Sequence, residues 1–135
     1  MQVRISLSLP RDTASVRKIR RVLGCAMAEL GMESECRSDL ELALTEACSN
    51  VVRHADGSDE YEVSVTINEH VCAIDVVDTG RGYDEEALRA TLPHPSAEQG
   101  RGLHLIQALA DSVQLVHRSP RGTIMRFEKR LVWTH

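Results

Sequence analysis

The stretch from Tyr61 to Val77 constrains the fold most. Tyr61-Glu-Val-Ser-Val-Thr-Ile67 alternates apolar and polar residues. As a strand it buries one face and wets the other. Asn68-Glu-His70 offers a turn, and Val71-Cys-Ala-Ile-Asp-Val-Val77 is almost continuously apolar, the pattern of a central strand. Such a hairpin is marginal until its apolar face is covered. The residues before it supply the cover. Val3–Leu9 alternates and stops at Pro10, giving a first strand. Asp12 or Thr13 is the N-cap of a first helix, whose apolar stripe is Val16, Ile19, Leu23, Met27 and Leu30 and whose end is Gly31. Ser34 caps a second helix with the stripe Leu40, Leu44, Ala47, Val51 and Ala55, ending at Asp56-Gly57.

After the hairpin the pattern breaks at Asp78-Thr-Gly-Arg-Gly82. Residues Asp84 to Arg89 suit a short helix. Thr91 to Gly100 holds two prolines and no period, so it reads as a mobile loop. Leu103–Leu109 is helical in pattern, beginning just after Gly100-Arg-Gly102. Val113–His117 and Thr123–Val132 read as a closing hairpin around Pro120-Arg-Gly122. The order β-α-α-β-β-loop-α-β-β predicts an α+β, two-layer α/β sandwich. Its sheet is expected to be mixed but mostly antiparallel, covered on one face by about three helices. At 135 residues the whole chain, 1–135, is expected to be one domain.

Composition narrows the function. Sixteen Lys+Arg against twenty Asp+Glu give a net charge of −4, which argues against a DNA binder that relies on a domain-wide positive field. Only Tyr61, Tyr83, Phe127 and Trp133 are aromatic, too few for a base-stacking surface. No apolar run is long enough for a bilayer. The start MQVRISLSLPRD lacks an apolar signal core, so a cytoplasmic location is expected. Cys25, Cys36, Cys48 and Cys72 form no CxxC pair and read as reduced thiols. His70, His94, His104, His117 and His135 show no ligand spacing, so no zinc is expected.

Three features could carry chemistry. Glu46 and Asn50 lie four apart on the second helix, so they stand ~40° apart on one face. Ala43, Ala47, Ser49 and Leu42 surround them, which suggests a pocket wall; an exposed pair is the plainer alternative. Asp78, followed by Gly80 and Gly82, ends an apolar strand and could accept a ligand's hydrogen bond, or simply form a turn. Gly100-Arg101-Gly102 precedes a helix, where free amides and the helix dipole suit an anion; a hinge is the alternative.

Taken in order, Glu46-x-x-x-Asn50, Asp78-x-Gly80-x-Gly82, a loop, Gly100-x-Gly102 and Gly122-Thr123 resemble the GHKL (Bergerat-fold) ATPase and kinase superfamily. Leu42-Ala-Leu-Thr-Glu-Ala-Cys-Ser-Asn50-Val-Val-Arg-His54-Ala55 looks like its N-box. Within it, Glu98-Gln-Gly-Arg-Gly-Leu103 looks like the second glycine motif of the RsbW-like anti-sigma-factor serine kinases. The resemblance implies ATP/ADP and Mg²⁺ as cofactors. It implies Asn50 as Mg²⁺ ligand, Glu46 as general base, and Asp78 with Gly80, Gly82 and Thr123 around the adenine. Gly100, Arg101 and Gly102 would meet phosphates under a lid over about 91–101, and His54 would orient a phosphate or Asn50. The implied activity is serine/threonine-protein kinase and anti-sigma factor. The implied partners are a sigma factor and a STAS-type anti-anti-sigma antagonist, with Arg20 on the cationic side of the first helix (Arg17, Lys18, Arg20, Arg21) touching a partner. The resembling kinases are often dimers. Neither direct nucleic-acid binding nor a membrane is implied. A non-catalytic ATP-binding module that sequesters a partner, and a stand-alone ATPase, are the other readings. Glu46 separates the chain from histidine kinases, which usually carry Asn there because an imidazole nucleophile needs no deprotonating carboxylate.

Overall fold

A computed structural model of the protein describes residues 1–54, 59–78, 98–117 and 122–134. The elements run β1 (Gln2–Pro10), α1 (Thr13–Leu30), α2 (Ser34–His54), β2 (Glu60–Asn68), β3 (Val71–Asp78), α3 (Glu98–Leu109), β4 (Ser112–His117) and β5 (Thr123–Arg130). The expected order of elements is therefore found. The expected short helix at 84–89 and residues 91–97 of the proline-containing loop lie outside the described residues.

Local chemistry sets the helix ends. Asp12, in extended conformation, caps α1 by accepting from the Ser15 amide at 2.8 Å. Gly31 closes α1 at φ 87°, a left-handed conformation that suits a residue without Cβ. Ser34, expected as a cap, is the first helical residue of α2. The third helix begins at Glu98, earlier than the sequence pattern suggests, so Gly100 and Gly102 stand in its opening turns. Gly100 falls in the first turn, where glycine costs little because those amides have no intrahelical acceptor to lose. Asn68 makes the β2–β3 turn, its Oδ1 accepting from the amides of His70 (2.7 Å) and Val71 (2.8 Å).

The five strands pair in the order β1-β2-β3-β5-β4, and every described pairing is antiparallel. The sheet expected to be mixed is antiparallel throughout, because α3 and β4 carry the chain so that β5 returns between β3 and β4. Strand parity then sorts the residues. Val63, Val65 and Ile67 on β2, Cys72, Ile74 and Val76 on β3, and Met125 and Phe127 on β5 are buried on one face. The helices cover that face with Val16, Ile19, Leu23 and Met27 (α1), Leu40, Leu44, Ala47 and Val51 (α2), and Leu103 and Ile106 (α3). Each such side chain contributes roughly 1.5–3 kcal/mol by leaving water. The other face carries Asp75 and Arg126, opposed in register and joined by a bidentate ion pair at 2.6 and 2.8 Å. Among the described residues no helix is long and apolar enough to cross a membrane.

Candidate functional site

Asp78 is the last residue of β3 and keeps the core-facing parity of Cys72, Ile74 and Val76. The period that buries three apolar side chains thus buries a carboxylate, which is 0% exposed. Its register partners are Tyr61 on β2 and Thr123 on β5, both also fully buried. A phenol, a carboxylate and a hydroxyl therefore lie in one row across the end of the sheet, on the face beneath the helices.

A buried carboxylate needs a partner. Arg11, in the β1–α1 corner, donates from Nη2 to Asp78 Oδ1 at 2.6 Å, and its own side chain is only 11% exposed. The corner holds Arg11 firmly: its amide donates to the Asp59 carbonyl at 2.8 Å, and the next residue is the α1 cap. Sequence reasoning missed Arg11. The retrospective signal is its place two residues past Leu9, which opposes Tyr61, which in turn opposes Asp78.

A second polar network ties the row to the helices. Ser15 Oγ donates to the Asp12 carbonyl at 2.8 Å and lies 2.7 Å from the Tyr61 hydroxyl. Ser15 has one proton to give, so Tyr61 is the donor to it. Cys48, on α2, is also fully buried. Burial pushes the Cys48 thiol up to about 12 and raises Tyr61 as well, so both are neutral near pH 7. No local pattern signals this network, because Tyr61 lies 46 positions from Ser15.

On α2, Asn50 is buried (2% exposed) and Glu46 is half-buried. The plainer expectation of an exposed pair does not hold for Asn50, which sits at the margin of the stripe formed by Ala43, Ala47 and Val51. Its Oδ1 accepts from Arg53 Nη2 at 3.0 Å. His54 is the last residue of α2, four beyond Asn50. Gly100, Arg101 and Gly102 lie on the opening turns of α3, which packs against α2. Arg20 is exposed on α1, as are Arg17, Lys18 and Arg21. Gly80 and Gly82 lie outside the described residues. Two pairs are thus assembled separately: Glu46–Asn50 by helical period, Asp78–Thr123 by strand register. Among the described residues no three His, Cys, Asp or Glu side chains group as metal ligands.

The chain has relatives among known proteins. The chain is similar to the serine-protein kinase RsbW of Bacillus cereus (strain AH820), at 29% identity over 132 residues, covering 90% of this chain and 82% of that one. RsbW of Bacillus anthracis matches equally well. Among solved structures, that of the RsbU and RsbW domains of Rv1364c from Mycobacterium tuberculosis superposes with a TM-score of 0.73 at 20% identity, covering 96% of this chain. This chain spans about a third of that one's length (32%). The SiaB–SiaC complex of Pseudomonas aeruginosa gives a TM-score of 0.63 at 16% identity, over 93% of this chain and 89% of that one. These two likenesses show the fold. Residues 9–129 match the histidine kinase-like ATPase domain, a span that takes in both assembled pairs, and the chain belongs to that family.

Proposed function

We propose that the chain is a Mg-ATP-dependent serine/threonine-protein kinase that also acts as an anti-sigma factor. It binds a sigma factor in one nucleotide state and, in another, phosphorylates a hydroxyl on a small STAS-type antagonist. Partner switching then follows from different affinities for the ATP and ADP forms. The observation that carries the reading is the buried Asp78 beside the buried Thr123 at the end of an otherwise apolar stripe. A costly buried carboxylate is a candidate ligand-binding group. The name shared by the Bacillus relatives, serine-protein kinase, supports the choice of a protein hydroxyl as acceptor.

The residues present suit the group. Asn50 would offer its carboxamide oxygen, which here accepts from Arg53 Nη2 at 3.0 Å, as a hard ligand for Mg²⁺. One protein ligand is enough for an ion that takes most of its shell from phosphates and water. Mg-ATP supplies the phosphoryl group and neutralises its oxygens when bound. Glu46, one turn before Asn50, would take the proton of the attacking hydroxyl, with ADP as the leaving group. Asp78 would accept from the adenine amino group and Thr123 would add a second hydrogen bond, with Gly80 and Gly82 assigned to the base by the motif alone. The amides around Gly100 and Gly102, with Arg101, would meet phosphate oxygens, and His54 would steady Asn50 or a phosphate. Arg20 and its cationic neighbours on α1 attract an acidic partner surface. The chain works as one cytoplasmic ATP-binding unit.

The test captures partners with the protein in ATP and in ADP, then follows radiolabel from ATP to the captured antagonist. Label on a serine or threonine, reduced at least ~100-fold in Glu46→Ala, supports the kinase. An antagonist that is captured but never labelled removes the kinase and leaves a sequestering module. Partner-free phosphate release above ~1 s⁻¹ points instead to an ATPase.

A further inference from the structure

Arg11 is absent from every motif that carries the nucleotide reading, yet it makes the shortest described contact to Asp78, at 2.6 Å. We infer that Arg11 is a positioning residue that fixes the Asp78 carboxylate for recognition of an amino group at purine C6, and so sets base specificity. The inference rests on the reading that Asp78 meets the base.

An aspartate at a strand end can turn about two side-chain bonds, and a rotated carboxylate presents its oxygens differently. A short charge-assisted bond removes that freedom. Arg11 makes it to one oxygen only, Oδ1, leaving the capacity of the other to groups elsewhere in the site. The guanidinium is itself fixed. Its backbone is tied to Asp59, its neighbour Asp12 caps α1, and its side chain is almost wholly buried. Among the described residues Arg11 Nε is buried without an acceptor, so the bond to Asp78 is the one that fixes the guanidinium. With the donor committed to Asp78, the base meets an acceptor. A 6-amino group complements it; a 6-carbonyl sets two acceptors against each other.

The experiment measures Kd for ADP and for purine riboside 5′-diphosphate, which lacks the 6-amino group, on the full chain and on Arg11→Met. The wild type should favour ADP by about tenfold or more, the range of a hydrogen bond to a charged group. In Arg11→Met that ratio should fall to within about threefold. General loosening of the fold weakens both ligands and leaves the ratio alone, so the ratio isolates positioning. A wild type that favours ADP, with an Arg11→Met that favours it equally, overturns the role of Arg11 alone. A wild type with no preference removes the adenine reading of Asp78 itself. If Arg11→Met does not fold, a crystal of the wild type with ADP decides. Arg11 Nη2 within ~3.2 Å of Asp78 Oδ1 sustains the proposal, and separation beyond ~4 Å overturns it.

Discussion

The Arg11–Asp78 pair allows a stability prediction that needs no ligand. Asp78 is 0% exposed and Arg11 11%, and the bond between them is 2.6 Å. Replacing Arg11 by Met removes one charge and leaves the other buried. Breaking such a pair costs about 3–5 kcal/mol, because the remaining ion keeps its desolvation penalty. Asp78 has an interaction beyond Arg11, which places the loss toward ~3 kcal/mol. For a chain of 135 residues the unfolding entropy is roughly 0.28 kcal/mol/K, so Tm should fall by about 10 °C. Adding Asp78→Asn should recover much of that loss, since the double variant buries no lone charge. The assay is urea and thermal unfolding, by circular dichroism, of the wild type, both single variants and the double variant. Additive effects, or a loss below ~1 kcal/mol in Arg11→Met, would mean that Arg11 does not compensate a buried Asp78 charge.

Other expectations follow from burial. Cys25 is exposed while Cys36, Cys48 and Cys72 are buried, so a thiol reagent should label one cysteine in the native protein and four after unfolding, read by mass spectrometry; rapid native labelling of Cys48 would contradict the packing. Burial holds the thiols of Cys48 and Cys72 at about 12, above their unfolded value of 9.0, so the folded state keeps protons that the unfolded chain loses. Stability is therefore full below pH 9 and declines as pH rises towards 12, by up to ~1.4 kcal/mol per pH unit per thiol; an unchanged urea midpoint between pH 9 and 11 would count against this. Asn50→Ala should weaken nucleotide binding in Mg²⁺ by about tenfold or more and leave it little changed in EDTA, as measured by fluorescent-nucleotide displacement; equal Mg²⁺ dependence in variant and wild type would remove Asn50 as the ligand.

Much of the fold is legible locally. The stripe Val16–Ile19–Leu23–Met27, the cap at Asp12 and the stop at Gly31 all lie within a few residues of what they determine. So does the parity of the central hairpin, and Asp78 can be read from it as the polar member of the core-facing row Cys72, Ile74, Val76. Thr123 is likewise in phase with Met125 and Phe127. What joins these rows is not local. That Asp78 opposes Thr123 depends on β5 inserting between β3 and β4, a choice made by the packing of α3. The Arg11–Asp78 bond spans 67 positions, and the Ser15–Tyr61 contact spans 46. Helical period brings Glu46 and Asn50 to one face but cannot say which is buried. That depends on neighbouring helices, and the structure buries Asn50 more deeply.

The central claim is that this chain holds Mg-ATP with Asp78 at the base and Asn50 at the metal. Isothermal titration with a non-hydrolysable ATP analogue in Mg²⁺ tests it most directly. One site per chain is expected, with affinity reduced about tenfold or more in Asp78→Asn. No binding heat with the wild type across several temperatures, or the same affinity in Asp78→Asn, would contradict it.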